Sequence, residues 1–114
     1  MDVSIVAPES ELWHGDAEMV IARSPEGEFA IMNGHIPFLA ALVPWRVTVV
    51  SGGSRESFFV PGGFLEASGS DDGYHVIVLA DDAEPISDDL AEVQRRVDDA
   101  RRSEEDRRSE EDNG

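Results

Sequence analysis

The chain has no cysteine and no lysine, and each absence excludes a class of function. Without cysteine it has no disulfide, no thiolate metal site and no cysteine nucleophile. Its nine basic residues, all arginine, stand against 25 acidic residues, which gives a formal net charge of −16. So acidic a chain lacks the basic patch that binds nucleic-acid phosphates, and anionic lipid surfaces would repel it.

Long hydrophobic runs are also absent. The longest apolar run, residues 38–43, is far too short to span a bilayer, and the N-terminus carries Asp2 instead of the basic residues of a signal peptide. The 114 residues suffice for one domain, and a hydrophobic content of 40% is too high for a wholly disordered chain. We therefore expect a soluble cytoplasmic protein. The composition leaves open whether its acidity reflects a salt-rich cytoplasm.

Short strand-like segments, separated by glycine or proline, recur through residues 1–80. Residues 51–54 contain two glycines, which favour a tight hairpin, and Ser24-Pro25-Glu26-Gly27 suits a type I turn. The pattern predicts an antiparallel β-sandwich or barrel. The segments are residues 2–7, 17–23, 28–32, 46–50, 55–60, 64–68 and 74–80.

A helix is predicted after the strands. Residues 74–80 are apolar on both faces, so another element should cover their outer face. A stripe at spacings of four and three residues follows, with Ser87 as the candidate N-cap. We expect this stripe to dock on the outer face of residues 74–80 in at least one state. Its members are Ile86, Leu90, Val93, Val97 and Ala100.

The end of the chain is a charged repeat. After Ala100 no apolar residue occurs, and residues 101–112 are Arg-Arg-Ser-Glu-Glu-Asp written twice. Since the repeat has nothing to bury, it is either a solvated extension of the helix or disordered. The predicted organisation is a sandwich over residues 1–84, a helix over 85–102 and a charged tail over 103–114.

No catalytic constellation is evident. The glycine pairs at 52–53 and 62–63 lack the Gly-Lys-Ser/Thr ending of a phosphate loop, which favours turns. The histidines His14, His35 and His75 lie in three segments without metal-ligand spacing. The acidic segments 71–73 and 81–84 could hold a hard cation, although neither has calcium-loop spacing. Trp13 and Trp45 fit a core and an interface equally well.

Two classes of function follow from the residues alone. The connection at residues 33–38 combines His, Ile, Pro and Phe, which are costly to leave in water, so an interface is expected there. The alternative is a stand-alone sandwich that binds a small ligand or cation at residues 81–84. An enzyme is the least favoured class because no nucleophile, base and stabilising group come together.

Four stretches, in this order and spacing, resemble a known family. They are Val6-Ala7-Pro8-Glu9-x-Glu11-Leu12-Trp13-x-Gly15, Pro25-Glu26-Gly27-Glu28-Phe29-Ala30-Ile31-Met32-x-Gly34-His35-x-Pro37-Phe38, Gly62-Gly63-Phe64-Leu65-Glu66-Ala67 and Val78-Leu79-Ala80-Asp81-x-Ala83-Glu84. From residue 3 to residue 84 the chain is similar to the bacterial epsilon subunit of F-type ATP synthases, whose mitochondrial counterpart is called delta.

The resemblance implies a fold and a role. It implies a sandwich of about ten strands followed by C-terminal helical structure, in a rotor-stalk subunit that has no catalytic residues and no cofactor. Such a subunit sits between the gamma subunit and the c ring, peripheral to the cytoplasmic face of the membrane. The C-terminal helix is the part through which the alpha and beta subunits would be reached.

The resemblance also implies site residues. The c-ring contact would be Glu26, Gly27 and Glu28, and Gly62 and Gly63 would form a structural turn. The gamma contact would be Gly34, His35, Ile36, Pro37 and Phe38. Helix docking would use Ile86, Leu90, Val93 and Val97.

The sequence departs from the family pattern in three places. Pro44-Trp45-Arg46 stands where a glycine-bearing turn is usual, so the local gamma contact would differ. Some bacterial members bind ATP through a signature containing Arg-Ala near the start of the first helix, but residues 86–91 contain no arginine. We therefore expect no bound nucleotide. In the family, the C-terminal helices can extend toward the catalytic subunits and inhibit ATP hydrolysis. The second of these helices is missing here or reduced to the charged repeat, which predicts weak or absent inhibition of this kind.

Overall fold

The structure, a computed structural model, describes residues 1–34, 37–70 and 73–112. Within these ranges the side chains of Ser70, Glu104 and residues 106–112 are not described. Its ten strands form two five-stranded sheets, followed by one helix. The predicted mainly β sandwich with a C-terminal helix is therefore confirmed.

Sheet 1 has the strand order β2-β1-β9-β8-β5. Its neighbouring strands are antiparallel except β1 and β9, which run parallel. The central strands β1 and β9 are rich in β-branched residues, whereas the edge strand β2 is mostly polar and was not predicted. The strands are β1 (Asp2–Ala7), β2 (Ser10–Asp16), β5 (Phe38–Leu42), β8 (Gly63–Ser70) and β9 (Gly73–Ala80).

Sheet 2 has the order β10-β7-β6-β3-β4 and is antiparallel throughout. Both predicted hairpins occur in it: Ser24 pairs with Gly27, and Ser51 pairs with Ser54. Gly52 and Gly53 have positive φ angles of 56° and 83°, which a two-residue hairpin turn of this kind requires. The strands are β3 (Met19–Ser24), β4 (Gly27–Met32), β6 (Trp45–Ser51), β7 (Ser54–Val60) and β10 (Glu84–Ile86).

The core lies between the two sheets and is built from alternate residues of the strands. Val3 and Ile5 of β1, Val76 and Val78 of β9 and Leu65 of β8 are almost completely buried. Burial raises the pKa of the Tyr74 phenol, so this group stays neutral over a wide pH range.

The connections gather at the two ends of the sandwich. The β1–β2, β3–β4, β5–β6 and β7–β8 connections all lie at one end, which we call the turn end, together with the joint at residues 81–83. The opposite end holds Met1, residues 16–18, residue 34 and the β6–β7 turn. Any surface at the turn end is therefore assembled from distant parts of the sequence.

The helix α1 runs from Leu90 to Asp112. Its N-cap is Asp89, whose carboxylate accepts a hydrogen bond from the Ala91 N–H at 2.9 Å. Ser87, the predicted cap, instead donates to the Glu92 carboxylate at 2.7 Å. The last turns of α1 fall within the segment that was predicted as a charged tail, so the backbone follows the helical alternative there.

In the structure the helix does not dock at the predicted site. α1 packs against β6 of sheet 2 and not against residues 74–80, which form β9 of sheet 1. The outer faces of β6 and β7 are buried at Thr48, Ser57 and Phe59. Thr48 and Ser57 satisfy each other through a hydrogen bond of 2.8 Å between their hydroxyl groups. This pairing lets a polar strand surface lie beneath a helix.

Candidate functional surfaces

The β3–β4 turn presents the predicted c-ring contact. Glu26 is exposed at its tip, where the N–H of this residue donates to the Ser24 hydroxyl at 3.2 Å. Gly27 has a φ of 128°, a conformation that side-chain-bearing residues rarely adopt. Glu28 differs because its carboxylate accepts a hydrogen bond from the Trp45 indole at 2.9 Å. Within this turn, Glu26 is therefore the carboxylate directed outward.

Trp45 and Arg46 make several polar and cation–π contacts beside this turn. The Arg23 guanidinium lies 4.6 Å from the centre of a Trp45 ring, within cation–π range. Arg46 donates to the Asp88 carboxylate at 2.8 Å and lies 3.8 Å from the Glu28 carboxylate. The residues that depart from the family pattern thus connect the β3–β4 hairpin to the segment that precedes α1.

The predicted gamma contact is only partly within the described residues. His35 and Ile36 lie outside them. Gly34 and Pro37 are exposed, and Gly34 has a φ of 87°. Phe38 is half-buried and meets Phe29 edge to face, with ring centroids 5.3 Å apart. Phe38 therefore also closes the gap between the edge strands β4 and β5.

An exposed apolar face on sheet 1 was not predicted as a site. Val6, Leu79, Phe64 and Ala41 are register partners across β1, β9, β8 and β5, so they form one row on the outer face. Leu79 is 51% exposed, Phe64 is 54% exposed and Leu39 in the next row is 67% exposed. The apolar outer positions of residues 74–80 indicate this face in the sequence, although the element predicted to cover it is the helix.

The Gly62–Gly63 turn is a close approach of two backbones. Gly63 has a φ of 140°, and a Cβ there would lie 2.1 Å from the Leu79 carbonyl oxygen. The Gly62 carbonyl accepts a hydrogen bond from the Asp81 N–H at 2.9 Å. The φ angle and the close approach to Leu79 both require a residue without a side chain at position 63.

The helix-docking residues divide into two groups. Val93 and Val97 are buried, with Val93 0% exposed. Leu90, predicted to dock, is 57% exposed because it lies in the first turn at the edge of the contact. Ile86 is half-buried and belongs to β10 instead of the helix.

Among the described residues, the titratable side chains do not form a metal centre. His14 and His75, although distant in sequence, lie 3.1 and 3.5 Å from the two oxygens of the Asp2 carboxylate. In the described part of the chain no group of three or more His, Asp and Glu side chains could hold a metal ion. At the acidic joint, Glu84 pairs with Arg96, and the Asp82 carboxylate accepts the N–H of Ala83.

Comparison with known proteins identifies the family of the chain. Residues 1–86 match the family model for the β-sandwich domain of the ATP synthase delta/epsilon chain. The chain belongs to this family. The ATP synthase epsilon chain of Myxococcus xanthus is 39% identical over 102 residues, which cover 89% of this chain and 72% of that one. The epsilon chain of Frankia casuarinae is 45% identical over 67 residues, which cover 58% and 79% of the two chains.

Solved structures show the same fold. A chain of the Euglena gracilis mitochondrial ATP synthase aligns over 87% of this chain and 62% of its own length, with a TM-score of 0.66 and 22% identity. A chain of the Tetrahymena thermophila mitochondrial ATP synthase, in its central stalk and c-ring structure, covers 90% and 88%, with a TM-score of 0.60 and 18% identity. Among the described residues, no helix is long and apolar enough to cross a bilayer.

Proposed function

We propose that the chain is the epsilon-type rotor subunit of an ATP synthase, that it joins the gamma subunit to the c ring, and that it contributes no catalytic group. Membership of the family supports this role. The observation that carries it further is the exposed row Val6, Leu79, Phe64 and Ala41 on sheet 1. Contiguous exposed apolar surface of this kind is typical of a protein interface. The subunit would then be peripheral to the cytoplasmic face of the membrane.

We assign the gamma contact to this row. A depression of about 470 Å³ borders it, lined by Val6, Pro8, Phe64 and Leu79 among others. The row continues the predicted contact of residues 34–38 along β5. Leu39 directly follows Phe38 in this strand, and Ala41, a member of the row, lies two residues further on. A stable interface buries about 1,000 Å² or more, which the segment of residues 34–38 could not supply alone.

Capture by the gamma subunit tests the assignment. Phe64→Asp combined with Leu79→Asp should reduce capture of the chain by its own organism's gamma subunit at least about tenfold, because an unpaired charge would be buried. Leu90→Asp is the matched control, since Leu90 is equally exposed but lies on α1 beside the other sheet. Failure of the unaltered chain to bind gamma would contradict the rotor role. Equal loss with Leu90→Asp would contradict the assigned face.

We assign the c-ring contact to the turn end, with Glu26 as its outward carboxylate. Exposed ion pairs contribute about 0–1 kcal/mol, so Glu26 would orient the contact more than hold it. Glu26→Lys should therefore weaken docking of the gamma–epsilon complex on isolated c rings about fivefold at low salt. The difference should shrink in 1 M salt because screening removes interactions between exposed charges.

The control for this prediction is Glu56→Lys, which makes the same charge reversal on β7 near the opposite end of the sandwich. Glu28→Lys is less suitable since it would also break the contacts of Glu28 with Trp45 and Arg46. If both Glu26→Lys and Glu56→Lys weaken docking equally, only the net charge matters and the turn end is not the contact.

A further inference from the structure

Two arginines without a carboxylate partner lie at one place in the molecule. Among the arginine side chains that the structure describes, most are paired with carboxylates within 4.0 Å, whereas Arg23, Arg95 and Arg101 are not. Arg23 and Arg101 line the same cavity, and Arg95 does not. In a chain with 25 acidic residues, two such neighbours are unusual. The paired arginines are Arg46, Arg55, Arg96 and Arg102.

The cavity has a volume of about 400 Å³ and lies at the turn end. The β3–β4 turn, the segment Val43–Trp45 and one side of α1 surround it. Gln94 also lines it, but its amide already donates to the Asp98 carboxylate at 3.1 Å. No acidic residue is among the described residues that line the cavity, so the two guanidinium groups supply its positive charge and its hydrogen-bond donors.

Trp45 holds the Arg23 side chain in place. The Arg23 guanidinium stacks on the indole at 4.6 Å, and the indole is itself fixed by its hydrogen bond to Glu28. When one face of a guanidinium is stacked, its N–H groups can still donate hydrogen bonds in the plane of the guanidinium. Arg23 thus loses little conformational freedom when an anion arrives.

We propose that this cavity binds a phosphate-type oxyanion between Arg23 and Arg101. The planar guanidinium forks match the geometry of phosphate oxygens, and such charge-assisted hydrogen bonds are stronger than neutral ones. The net charge of −16 does not prevent binding because charges more than about 8 Å away are screened at physiological ionic strength. The proposal concerns the isolated chain and does not depend on the rotor role.

Binding there would stabilise the docked helix. Arg23 belongs to β3 of the sandwich and Arg101 to α1, so one anion would bridge the two parts. Arg101 reaches the cavity only while Val93 and Val97 remain packed against sheet 2. A ligand that binds only the docked state shifts the equilibrium toward that state.

Titration of the full chain with inorganic phosphate tests the proposal. Saturable heat or chemical-shift changes are expected at constant ionic strength, and Arg23→Gln and Arg101→Gln should each weaken the affinity about tenfold. Amide exchange of residues 91–100 should slow with phosphate in the unaltered chain but not in Arg101→Gln. Thermal unfolding of each variant checks that the fold is intact.

Arg95→Gln is the matched control because it removes an equally unpaired arginine of the same helix outside the cavity. A loss in Arg95→Gln as large as in Arg101→Gln would show diffuse attraction and overturn the proposal. So would the absence of saturation, or acetate binding as tightly as phosphate. Titration with glycerol 2-phosphate distinguishes two forms of the ligand. If it binds at least as tightly as inorganic phosphate, the ligand is a phosphate ester. If it binds more weakly, the ligand is free phosphate.

Discussion

At the scale of single residues, Gly63 is the described glycine at which a substitution should cost most stability. A Cβ at Gly63 would collide with the Leu79 carbonyl oxygen at 2.1 Å, and the φ of 140° is strained for any other residue. Gly63→Ala should therefore lower the free energy of unfolding by at least about 3 kcal/mol. Urea unfolding followed by circular dichroism measures this change.

Gly53 provides the control for the backbone conformation alone. It also has a positive φ, 83°, but nothing lies within 4 Å of its Cβ position. Gly53→Ala should cost only about 1–2 kcal/mol. Equal losses in the two variants would show that the backbone angle, and not the close approach to β9, decides the requirement for glycine. The glycine pairs themselves were visible in the sequence, but the collision partner was not, because it comes from another strand.

At the scale of elements, the helix contact depends on two valines. Val93→Ala should destabilise the docking of α1 by about 1–3 kcal/mol because it removes two buried methyl groups. Leu90→Ala should change it by less than about 0.5 kcal/mol, since Leu90 is largely exposed. Amide exchange of residues 91–100 separates the two variants. A larger effect of Leu90→Ala would contradict the docked position of the helix.

The elements also show what the sequence could predict. Four strands of sheet 2, β3, β4, β6 and β7, and both its hairpins followed from apolar runs and turn residues, and the stripe of α1 followed from its spacing. The docking surface did not follow because Thr48 and Ser57 look polar in the sequence, whereas in the fold they satisfy each other beneath the helix. β10 was missed because it has three residues, one of them Pro85, which is tolerated at a sheet edge.

At the scale of the whole molecule, the exposed apolar row lies on sheet 1 and α1 lies on sheet 2, so these two surfaces are separate. The β3–β4 turn adjoins the row, because Glu26 and Ala41 line one cavity. Occupation of the row therefore does not block α1, whereas the proposed gamma and c-ring contacts are neighbours. Glu26 and Gly34 are close along the chain, but β4 runs between them, so Gly34 lies at the opposite end of the sandwich. Pairing between distant strands decides such positions.

The charged repeat can be removed without disturbing the apolar row, the docked part of α1 or Glu26, although the deletion also takes Arg101 from the proposed anion cavity. α1 approaches the turn end where Arg101 and Ser103 line cavities beside Pro25 and Pro61, so the nine residues after Ser103 extend about 14 Å beyond the sandwich. No apolar residue occurs in this extension. Deletion of residues 101–114 should therefore leave ATP hydrolysis by the assembled ATP synthase nearly unchanged.

Deletion of residues 90–114 is the comparison, because it also uncovers Thr48, Ser57 and Phe59 and should lower the thermal stability of the sandwich. ATP hydrolysis by complexes that contain each variant is measured beside the unaltered complex. A large rise in hydrolysis after the shorter deletion would mean that the repeat restrains the enzyme. Inhibition would then come from its charges, because the repeat has no apolar side chain to bury against the catalytic subunits.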